Sequence, residues 1–565
     1  MSSDILDSLA ERSDEHEFYT PFPKGYKAGK AKYVIITGSV MSGVGKGTLS
    51  SSIGNLLKCH GLAVAPIKFD GYLNYDAGTL NPFRHGEVFV LDDGTECDLD
   101  LGTYERFLNQ NLSKDNYLTA GKIFKTIIDK ERKGDYLGRD VQFIPHVTGE
   151  IKNFVRTLAV RTSADVVLVE VGGTAGDLEN SYFLEAMREL SYEEGRENVC
   201  FVNVTYIIDP SSLQEQKSKP AQLGLRILLS LGIQPHIILC RARNEVTEKI
   251  REKISIYANV PVSHVFSVPN VSNIYQVPID LETKGLHKEI FKILGLKPRT
   301  NGDKELTSEN WREIAEGLAG AKKEVTIGII GKYTTVQDSY LSILKALEHC
   351  GSKLRIKPIV KWVESSGIKD IPGSLKGVSG IIVPGGFGKR GTEGKIACIQ
   401  YAREHNLPYL GLCYGFQMAV VEFARNVCKL DANSTEIDPK CKDPVIDVLP
   451  EQKKIEGLGG NMRLGGQDVS IKKGTQAYRI YKKDTARERF RHRYECNPEY
   501  IKTLEKHGMV FSGKSPKYPI MQILELPKNT FHIGVQFHPE LSSKPLSPHP
   551  LFVGFVEAAA KYKPG

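Results

Sequence analysis

No stretch of this 565-residue sequence approaches the roughly 20 consecutive apolar residues that a helix needs to cross a lipid bilayer. Residues 1–30 also lack the apolar core of a secretory signal peptide and the arginine-rich, acid-poor bias of a transit peptide. These absences argue against a membrane protein and against a secreted one. We therefore expect a cytoplasmic protein with no membrane partner, in which residues 1–30 form a flexible N-terminal extension.

The sequence contains ten cysteines but no Cys-x-x-Cys pair, so neither a disulfide framework nor a cysteine zinc site is expected. The formal charge is only +8, and apart from residues 482–493 the basic side chains form no long tract. A basic excess of this size favours anionic small molecules as ligands over nucleic acid. The 41% of hydrophobic and 25% of charged residues are an ordinary globular balance.

Short apolar runs, which predict strands, alternate with helical patterns, and the chain is long for one core. The predicted elements include a strand at residues 380–383 and helices at residues 117–133 and 219–230. The alternation predicts an α/β fold of two domains, each with a mostly parallel sheet and helices on both faces. The first domain is predicted at residues 31–296 and the second at residues 325–562. Residues 297–324, which are polar and then helical around Trp311, are the predicted linker.

Cys413 lies where a predicted strand, residues 407–412, meets a predicted helix, residues 414–427. A cysteine at such a sharp turn exposes its sulfur, and the positive end of the helix favours the nucleophilic thiolate. The sequence Gln-Phe-His-Pro-Glu supplies His538, which can accept the thiol proton, and Glu540, which can orient the imidazole. The pattern predicts a site that opens an amide.

Upstream of this cysteine, Val-Pro-Gly-Gly-Phe-Gly (residues 383–388) follows a predicted strand. Its glycines leave backbone N–H groups free to hold an oxyanion. In these segments the chain resembles class I glutamine amidotransferases, which hydrolyse glutamine and pass on ammonia. The resemblance implies a catalytic triad of Cys413, His538 and Glu540, with Gly385, Gly386 and Phe387 at the oxyanion hole.

A second candidate site lies near the N-terminus, between a predicted strand at residues 32–37 and a predicted helix at residues 49–60. The connecting loop, residues 38–48, reads Gly-Ser-Val-Met-Ser-Gly-Val-Gly-Lys-Gly-Thr. Its backbone N–H groups and the helix N-terminus would face an anion, and Lys46 would neutralise the outer phosphates. The spacing departs from the strict Walker motif, because Val40 stands where the first Gly should be.

Acidic residues accompany this loop. Glu170 ends a continuous apolar strand predicted at residues 165–171, and residues 86–102 are dense in carboxylates. Acidic side chains at the carboxyl ends of parallel strands, beside a phosphate loop, are what Mg²⁺ bound to a nucleotide requires. The sequence therefore predicts a nucleotide site with Mg²⁺ as cofactor.

From about residue 32 to residue 555, the chain resembles the CTP synthase family. The matching stretches are Gly-x-Gly-Lys-Gly (43–47), Asn-x-Asp-x-Gly-Thr (74–79), His-Gly-Glu-Val-Phe-Val (85–90), Asp-Leu-Asp-Leu-Gly (98–102), Gln-Phe-Ile-Pro-His-Val-Thr (142–148), Glu-x-Gly-Gly-Thr-x-Gly-Asp (170–177), Lys-x-Lys-Pro-x-Gln (217–222) and Arg-His-Arg-Tyr-Glu (491–495). The resemblance implies a P-loop NTPase-like synthetase (amidoligase) domain followed by a glutamine amidotransferase domain. It implies ATP-dependent amination of UTP to CTP, the last step of CTP synthesis, with ammonia from glutamine channelled between the domains.

By matched position, the resemblance gives each site residue a role. ATP would be bound by Ser42, Gly43, Val44, Gly45, Lys46, Gly47, Thr48, Lys68 and Asp100. Mg²⁺ would be bound by Asp100 and Glu170, and Lys46 would stabilise the transferring phosphoryl group. UTP, or CTP as feedback inhibitor, would be bound by Ser42, Asp177, Leu178, Glu179, Lys217, Lys219, Gln222 and Lys253. Glutamine would be bound by Gly385, Gly386, Phe387, Tyr414, Gln417, Glu436 and Arg493. His85 would lie on the ammonia path, and GTP, an activator in the family, would bind around residues 389–395 and Arg463.

Two other hypotheses stay open. A different ATP-dependent glutamine amidotransferase, such as a cobyrinate-type amidase, joins similar domains, although a corrinoid substrate does not need the triphosphate grip of residues 217–222. A structural assembly protein that has lost turnover is the other, and the intact triad and Lys46 argue against it. The family implies a homotetramer, and its members can also assemble into filaments.

Overall fold

The computed structural model describes residues 19, 21–81, 85–210, 215–299, 302–332, 336–448 and 462–563. The chain divides into two compact units, one within residues 1–79 and 103–312 and the other within residues 80–102 and 313–565. Most of the predicted N-terminal extension, residues 1–18 and 20, lies outside the described residues.

The strands in chain order are β1 (Lys32–Gly38), β2 (Val64–Asp70), β3 (Phe89–Val90), β4 (Glu96–Cys97), β5 (Tyr117–Thr119), β6 (Val166–Val171), β7 (Val199–Tyr206), β8 (Ile237–Ala242), β9 (Val265–Pro269), β10 (Lys323–Gly331), β11 (Ile356–Glu364), β12 (Gly380–Val383), β13 (Tyr409–Leu412), β14 (Ala432–Ser434), β15 (Asp443–Asp447), β16 (Arg463–Ile471), β17 (Thr485–His492), β18 (Glu495–Cys496), β19 (Val510–Lys514), β20 (Met521–Glu525) and β21 (His532–Val535).

The α-helices in chain order are α1 (Lys46–Cys59), α2 (Leu99–Leu108), α3 (Ala120–Lys133), α4 (Thr148–Thr162), α5 (Ser181–Glu194), α6 (Lys219–Ser230), α7 (Glu248–Ala258), α8 (Gln276–Thr283), α9 (Leu286–Leu294), α10 (Ser308–Ala319), α11 (Leu341–Leu354), α12 (Ile371–Ser374), α13 (Thr392–Glu404), α14 (Tyr414–Asn426), α15 (Gln476–Tyr481), α16 (Pro498–Lys506) and α17 (Pro550–Lys561).

The first unit is built on a seven-stranded sheet in the order β5-β2-β6-β1-β7-β8-β9. Every pairing in this sheet is parallel. All residues of β2 and β6 are buried, which is the pattern of a parallel sheet covered on both faces. The loop after β1 and the acidic end of β6 therefore lie at the same edge of the sheet, because Ile36 pairs with Glu170.

The second unit contains a nine-stranded sheet in the order β11-β10-β12-β13-β21-β20-β19-β16-β17. The strands from β11 to β21 pair in parallel, with α11 and α13 as crossovers. The remaining strands are antiparallel, because short turns rather than helices connect β19 to β20 and β20 to β21. The prediction of two α/β domains is confirmed, and the antiparallel half is a feature that the alternation did not indicate.

Residues 80–102 pack within the second unit. Their short hairpin, β3 and β4, lies against β17, where Nη2 of Arg487 is 2.8 Å from Oδ2 of Asp92. The N–H and hydroxyl of Ser342, next to the start of α11, both donate to the carboxylate of Glu87. This segment thereby becomes part of the wall around the thiol site described below.

No helix in the described ranges is long and apolar enough to cross a membrane. All ten cysteines are free thiols.

Candidate active sites

Cys413 occupies the turn between β13 and α14 with φ 50° and ψ −94°, a conformation that L-residues adopt only under constraint. Only glycine fits at residues 411 and 415, on either side of this turn, because neighbouring atoms leave no room for a Cβ atom. A Cβ atom on Gly415 would collide with the carbonyl oxygen of Val383, and one on Gly411 with the hydroxyl of Tyr409. The turn therefore holds the thiol at the carboxyl end of the parallel strands and at the N-terminus of α14.

His538 and Glu540 follow β21, the neighbour of β13 in the sheet. Nδ1 of His538 lies 2.7 Å from Oε1 of Glu540, so the carboxylate fixes the orientation of the ring. Burial acts to lower the pKa of His538, but the Glu540 carboxylate and the Cys413 sulfur outweigh it and raise the pKa to about 10. Nε2 of the ring is buried and makes no hydrogen bond of ordinary geometry within the described residues. These three side chains have the arrangement of a nucleophile, a base and an orienting group.

A cavity of about 130 Å³ lies over these side chains. The predicted oxyanion segment forms one side of it, through Gly385, Gly386 and Phe387. Three further lining residues, Glu87, Val88 and Arg491, were not predicted as part of this site. Their participation depends on the packing of residues 80–102 and of β17, for which the sequence carries no local signal.

Two of the other predicted glutamine-binding residues, Glu436 and Tyr414, contact the same segment. Oε1 of Glu436 accepts the N–H of Gly388 at 2.8 Å, and the Tyr414 hydroxyl donates to the Gly388 carbonyl at 3.0 Å. Burial raises the pKa of Glu436, while Arg493 is among the groups that lower it. Gln417 is buried and donates to the Tyr494 carbonyl at 2.8 Å.

The phosphate loop in the first unit leads directly into α1, which begins at Lys46 and not at the predicted residue 49. Gly45 has φ 86° at the N-cap, a left-handed conformation that glycine adopts without strain. Lys46 is 7% exposed, and its ammonium donates to the carbonyl of Gly173. A Cβ atom on Gly38 would lie 2.7 Å from Nζ of Lys46, so a side chain there would displace the lysine from its present position. The loop presents the first N–H groups of α1 and a buried cation on one side, as anion binding requires.

Glu170 is 1% exposed at the end of β6. Its two oxygens accept from Nζ of Lys68 at 3.1 Å and from the hydroxyl of Tyr104 at 2.6 Å. Burial, followed by Glu170, raises the pKa of Tyr104, so this phenol stays a donor. Nζ of Lys68 also lies 3.8 Å from Oδ1 of Asp70. A buried cation and two carboxylates thus meet beside the phosphate loop.

The comparisons with known proteins identify the family. A model described as "CTP synthase N-terminus" matches residues 32–296, and one described as "Glutamine amidotransferase class-I" matches residues 335–558. A CTP synthase of Pyrococcus abyssi is 51% identical over 535 residues, which are 94% of this chain and 98% of that protein. A CTP synthase of Thermococcus gammatolerans is 51% identical over 538 residues, 94% of this chain and 99% of that protein. This chain belongs to the CTP synthase family. Among solved structures, the glutaminase domain of a Trypanosoma brucei CTPS with bound acivicin is 37% identical, covering 42% of this chain and 95% of that chain with a TM-score of 0.40.

The residues that the CTP synthase resemblance predicts for UTP or CTP lie mostly at the surface of the first unit. Asp177 accepts the N–H of Thr174 at 2.5 Å, whereas Leu178 is 83% exposed and Glu179 is exposed beside it. Lys217 is paired with Glu215 at 2.7 Å. Lys219 and Lys253 are exposed, and Gln222 is half-buried with its Nε2 3.1 Å from Oγ of Ser218.

The remaining predictions concern metal, ammonia and GTP. Asp100, half-buried at the start of α2, falls in the second unit, and Glu170 falls in the first. Within the described ranges, no group of three or more acidic, histidine or cysteine side chains is arranged to hold a metal ion. His85 is exposed. Arg463 pairs with Glu495 at 2.5 Å.

Arg241 is a cation near the phosphate loop that the sequence did not single out. Its Nε lies 3.7 Å from where a Cβ atom on Gly45 would stand, and its guanidinium donates to the carbonyls of Val268 and Pro269. Burial lowers the pKa of Arg241. An arginine inside a strand pattern gives no hint of a ligand, so only the sheet order could have indicated it.

Proposed function

We propose that this chain aminates UTP to CTP, using ATP to activate the 4-carbonyl oxygen and glutamine as the nitrogen source. The observation that supports this most is that one chain carries both halves of the chemistry. The second unit has a thiol and an imidazole whose ring is oriented by a carboxylate. The first unit has a glycine loop with a buried lysine at a helix N-terminus. The chain is therefore a glutamine-hydrolysing carbon–nitrogen ligase. The CTP synthases that it resembles match it over nearly their whole length, which favours UTP over a corrinoid substrate.

In the glutaminase reaction, His538 takes the proton of Cys413, and the sulfur attacks the amide carbon of glutamine. Backbone N–H groups of the 385–387 segment hold the oxyanion, and the imidazolium then donates its proton to the departing ammonia. Water, deprotonated by the same imidazole, hydrolyses the thioester and releases glutamate. The raised pKa of His538 favours the thiolate–imidazolium pair at neutral pH.

Recognition of glutamine rests on opposite charges at its α-carbon. Glu436 would accept the ammonium group, and Arg493 would grip the carboxylate with two parallel hydrogen bonds. Tyr414 and Gln417 would support the glycine segment and the side-chain amide.

In the synthetase reaction, the oxygen at C4 of UTP attacks the γ-phosphorus of ATP, and ADP leaves. Ammonia then adds to C4, and phosphate departs with the oxygen, because a phosphorylated oxygen is a far better leaving group than a free one. The loop from Ser42 to Thr48 would hold the ATP phosphates, and Lys46 and Lys68 would stabilise the transferring group.

Mg²⁺ is the metal that this chemistry implies, and the donors fit it. Hard carboxylate oxygens stand beside the phosphate loop at Glu170 and Asp70. Mg²⁺ commonly takes one or two protein carboxylates and completes its shell with phosphate oxygens and water. We assign Glu170 and, by resemblance, Asp100 as its ligands, where the ion would neutralise charge on the ATP phosphates.

The finer assignments belong to the same proposal. Lys217, Lys219, Gln222 and Lys253 would hold UTP, and Asp177, Leu178 and Glu179 would recognise CTP as feedback inhibitor. GTP would activate from residues 389–395 and Arg463, and His85 would stand on the ammonia path. We further propose a cytoplasmic homotetramer able to form filaments, with domains at residues 31–296 and 325–562, a linker at residues 297–324 and an N-terminal extension at residues 1–30.

The direct test is conversion of UTP to CTP, followed by absorbance, with ATP, glutamine and GTP omitted in turn. We expect no CTP without ATP, none without a nitrogen source, and slower glutamine-driven formation without GTP. Consumption of glutamine and ATP without loss of UTP would contradict the substrate assignment.

A further inference from the structure

Lys395 is a buried lysine in the second unit, in the first turn of α13, and only 1% of its surface is exposed. Its Nζ lies 4.9 Å from the ring centre of Tyr414, the residue that follows the nucleophile. The same nitrogen lies 3.5 Å from where a Cβ atom on Gly386 would stand. The amino group is therefore enclosed by the two segments that build the thiol site, the oxyanion loop and the start of α14.

The ammonium of Lys395 has no direct counter-ion among the described residues. Within the described residues it makes no hydrogen bond through Nζ and no ion pair with a carboxylate. The ionisable groups that act on it are Lys332, which disfavours its charge, and Cys413 and Glu364, which favour it. The neighbouring charges that act in turn on Lys332 are Arg390 and Glu436. A buried ammonium without a counter-ion is costly, so a nearby group that carries negative charge should be stabilised by it.

Packing alone would be the simplest role. The four-carbon stem of lysine fills apolar space, and its ammonium is stabilised over an aromatic face. If that were the whole role, methionine, which is unbranched and of similar length, would serve equally well at this position. A role in packing alone therefore predicts that removing the charge of Lys395 leaves turnover unchanged.

We propose that Lys395 is a positioning residue of the glutamine-hydrolysing site, whose ammonium, held against Gly386 and Tyr414, stabilises the negative charge of the Cys413 thiolate and of the oxyanion formed at the glycine segment. The inference rests on the proposed function, because it needs Cys413 to be the nucleophile. Lys395 lies against Gly386 and Tyr414 and takes no part in bond making or breaking, so it acts through the field of its charge and through the orientation of the Gly386 peptide.

The effect of pH follows from the surroundings of the lysine. Burial, followed by Lys332, lowers the pKa of Lys395 to about 7, against the opposing influence of Cys413 and Glu364. The ammonium form dominates below that pH and is lost above it. Its benefit to the thiolate must therefore be largest on the acid side of neutrality and fade as the pH rises.

The test compares the purified full chain with its Lys395→Met and Lys395→Gln variants at pH 6.0 to 8.5. Glutamate release is measured with ATP and UTP, both without GTP and with saturating GTP, because Lys395 ends the segment proposed to bind GTP and the expected loss must appear in both conditions. We expect kcat/KM for glutamine to fall about tenfold at pH 6.5, less than the loss of a direct oxyanion donor causes. The ratio of wild type to variant should approach one by pH 8.5. Alkylation of Cys413 by iodoacetamide should slow in parallel, since the thiolate is the reactive form.

Lys376→Met, which alters an exposed lysine of the same unit, is the matched control and should follow the wild-type profile. CTP formation from ammonium chloride by the Lys395 variants shows whether the rest of the chain remains folded and active. A profile of either variant that matches the wild type, or a loss that is the same at every pH, overturns the proposal. If the wild type itself makes CTP from neither nitrogen source, the failure is that of the proposed function.

Discussion

A Cβ atom on Gly385 would lie 2.8 Å from Cε1 of His538, inside van der Waals contact. The imidazole of His538 therefore rests directly on Gly385 of the proposed oxyanion segment, and a side chain at residue 385 would push the ring away. At the next position, a Cβ atom on Gly386 would find its nearest neighbour, Nζ of Lys395, at an ordinary 3.5 Å. Two adjacent glycines of one loop thus carry different steric constraints.

This difference predicts unequal effects of alanine. Gly385→Ala should displace His538 from Cys413 and lower glutamine-driven turnover by on the order of a hundredfold, since a shift of about 1 Å is enough for such a loss. Gly386→Ala should cost clearly less. Glutamate release by both variants checks the prediction, and equal losses would show that the imidazole does not set the constraint at residue 385.

Glu540→Gln should remove the carboxylate that orients His538 and lower kcat for glutamine by roughly a hundredfold or more.

Glu540 and Cys413 raise the pKa of His538 from 6.5 to about 10, so the folded state binds the proton more tightly. The stability from this interaction is fully present below pH 6.5 and is lost as the pH rises through about 10. The gap in melting temperature between wild type and variant should therefore be widest near pH 6. A gap that widens toward alkaline pH would contradict the assignment.

Lys46→Met should stop amination of UTP from either nitrogen source, with a loss of a hundredfold or more, on the order of that seen when a group stabilising transition-state charge is removed. Lys133→Met, at an exposed site in the last turn of α3, is the control. CTP formation from ammonium chloride is the measurement, because it bypasses the thiol. Normal turnover by the Lys46 variant would exclude this lysine from phosphoryl transfer.

The buried ion pair of Arg156 should contribute to the stability of the first unit. Its guanidinium is fully buried, lies 4.4 Å from the ring centre of Phe22 and pairs with Glu194, which is itself buried, at 2.7 Å. Arg156→Met would leave that carboxylate without its charge partner and should destabilise the unit by about 3 kcal/mol or more. Arg188→Met, which breaks a more exposed pair with Glu185, should cost under about 1 kcal/mol. Denaturant unfolding of both variants compares them, and similar losses would contradict the role of burial.

Local sequence predicted much of the framework. The strand at Gly380–Val383 and the helix at Lys219–Ser230 have the predicted bounds, because apolar runs and helical spacing are local signals. Tyr117–Thr119 was expected to begin a helix but forms edge strand β5. The helix starts after it because Thr119 is the N-cap, its hydroxyl accepting the N–H of Lys122.

The walls of the thiol site could not be predicted in the same way. The contact of Asp92 with Arg487 joins residues 395 positions apart, and no pattern around residues 80–102 encodes it. The burial of Lys395 could not be predicted from the sequence either, since a lysine in a first helical turn is ordinarily solvated. Its burial follows from how α13 packs on the oxyanion loop and α14, which only the folded chain displays.

The thiol in one unit is expected to free the nitrogen that the phosphate-loop site in the other unit consumes. The decisive measurement is CTP formation by Cys413→Ala, from glutamine and from ammonium chloride in the same preparation. We expect no glutamine-driven CTP and ammonium-driven CTP within about twofold of wild type, because alanine removes only the nucleophile. Equal loss of both activities, or undiminished use of glutamine, would show that the two reactions are not divided in this way.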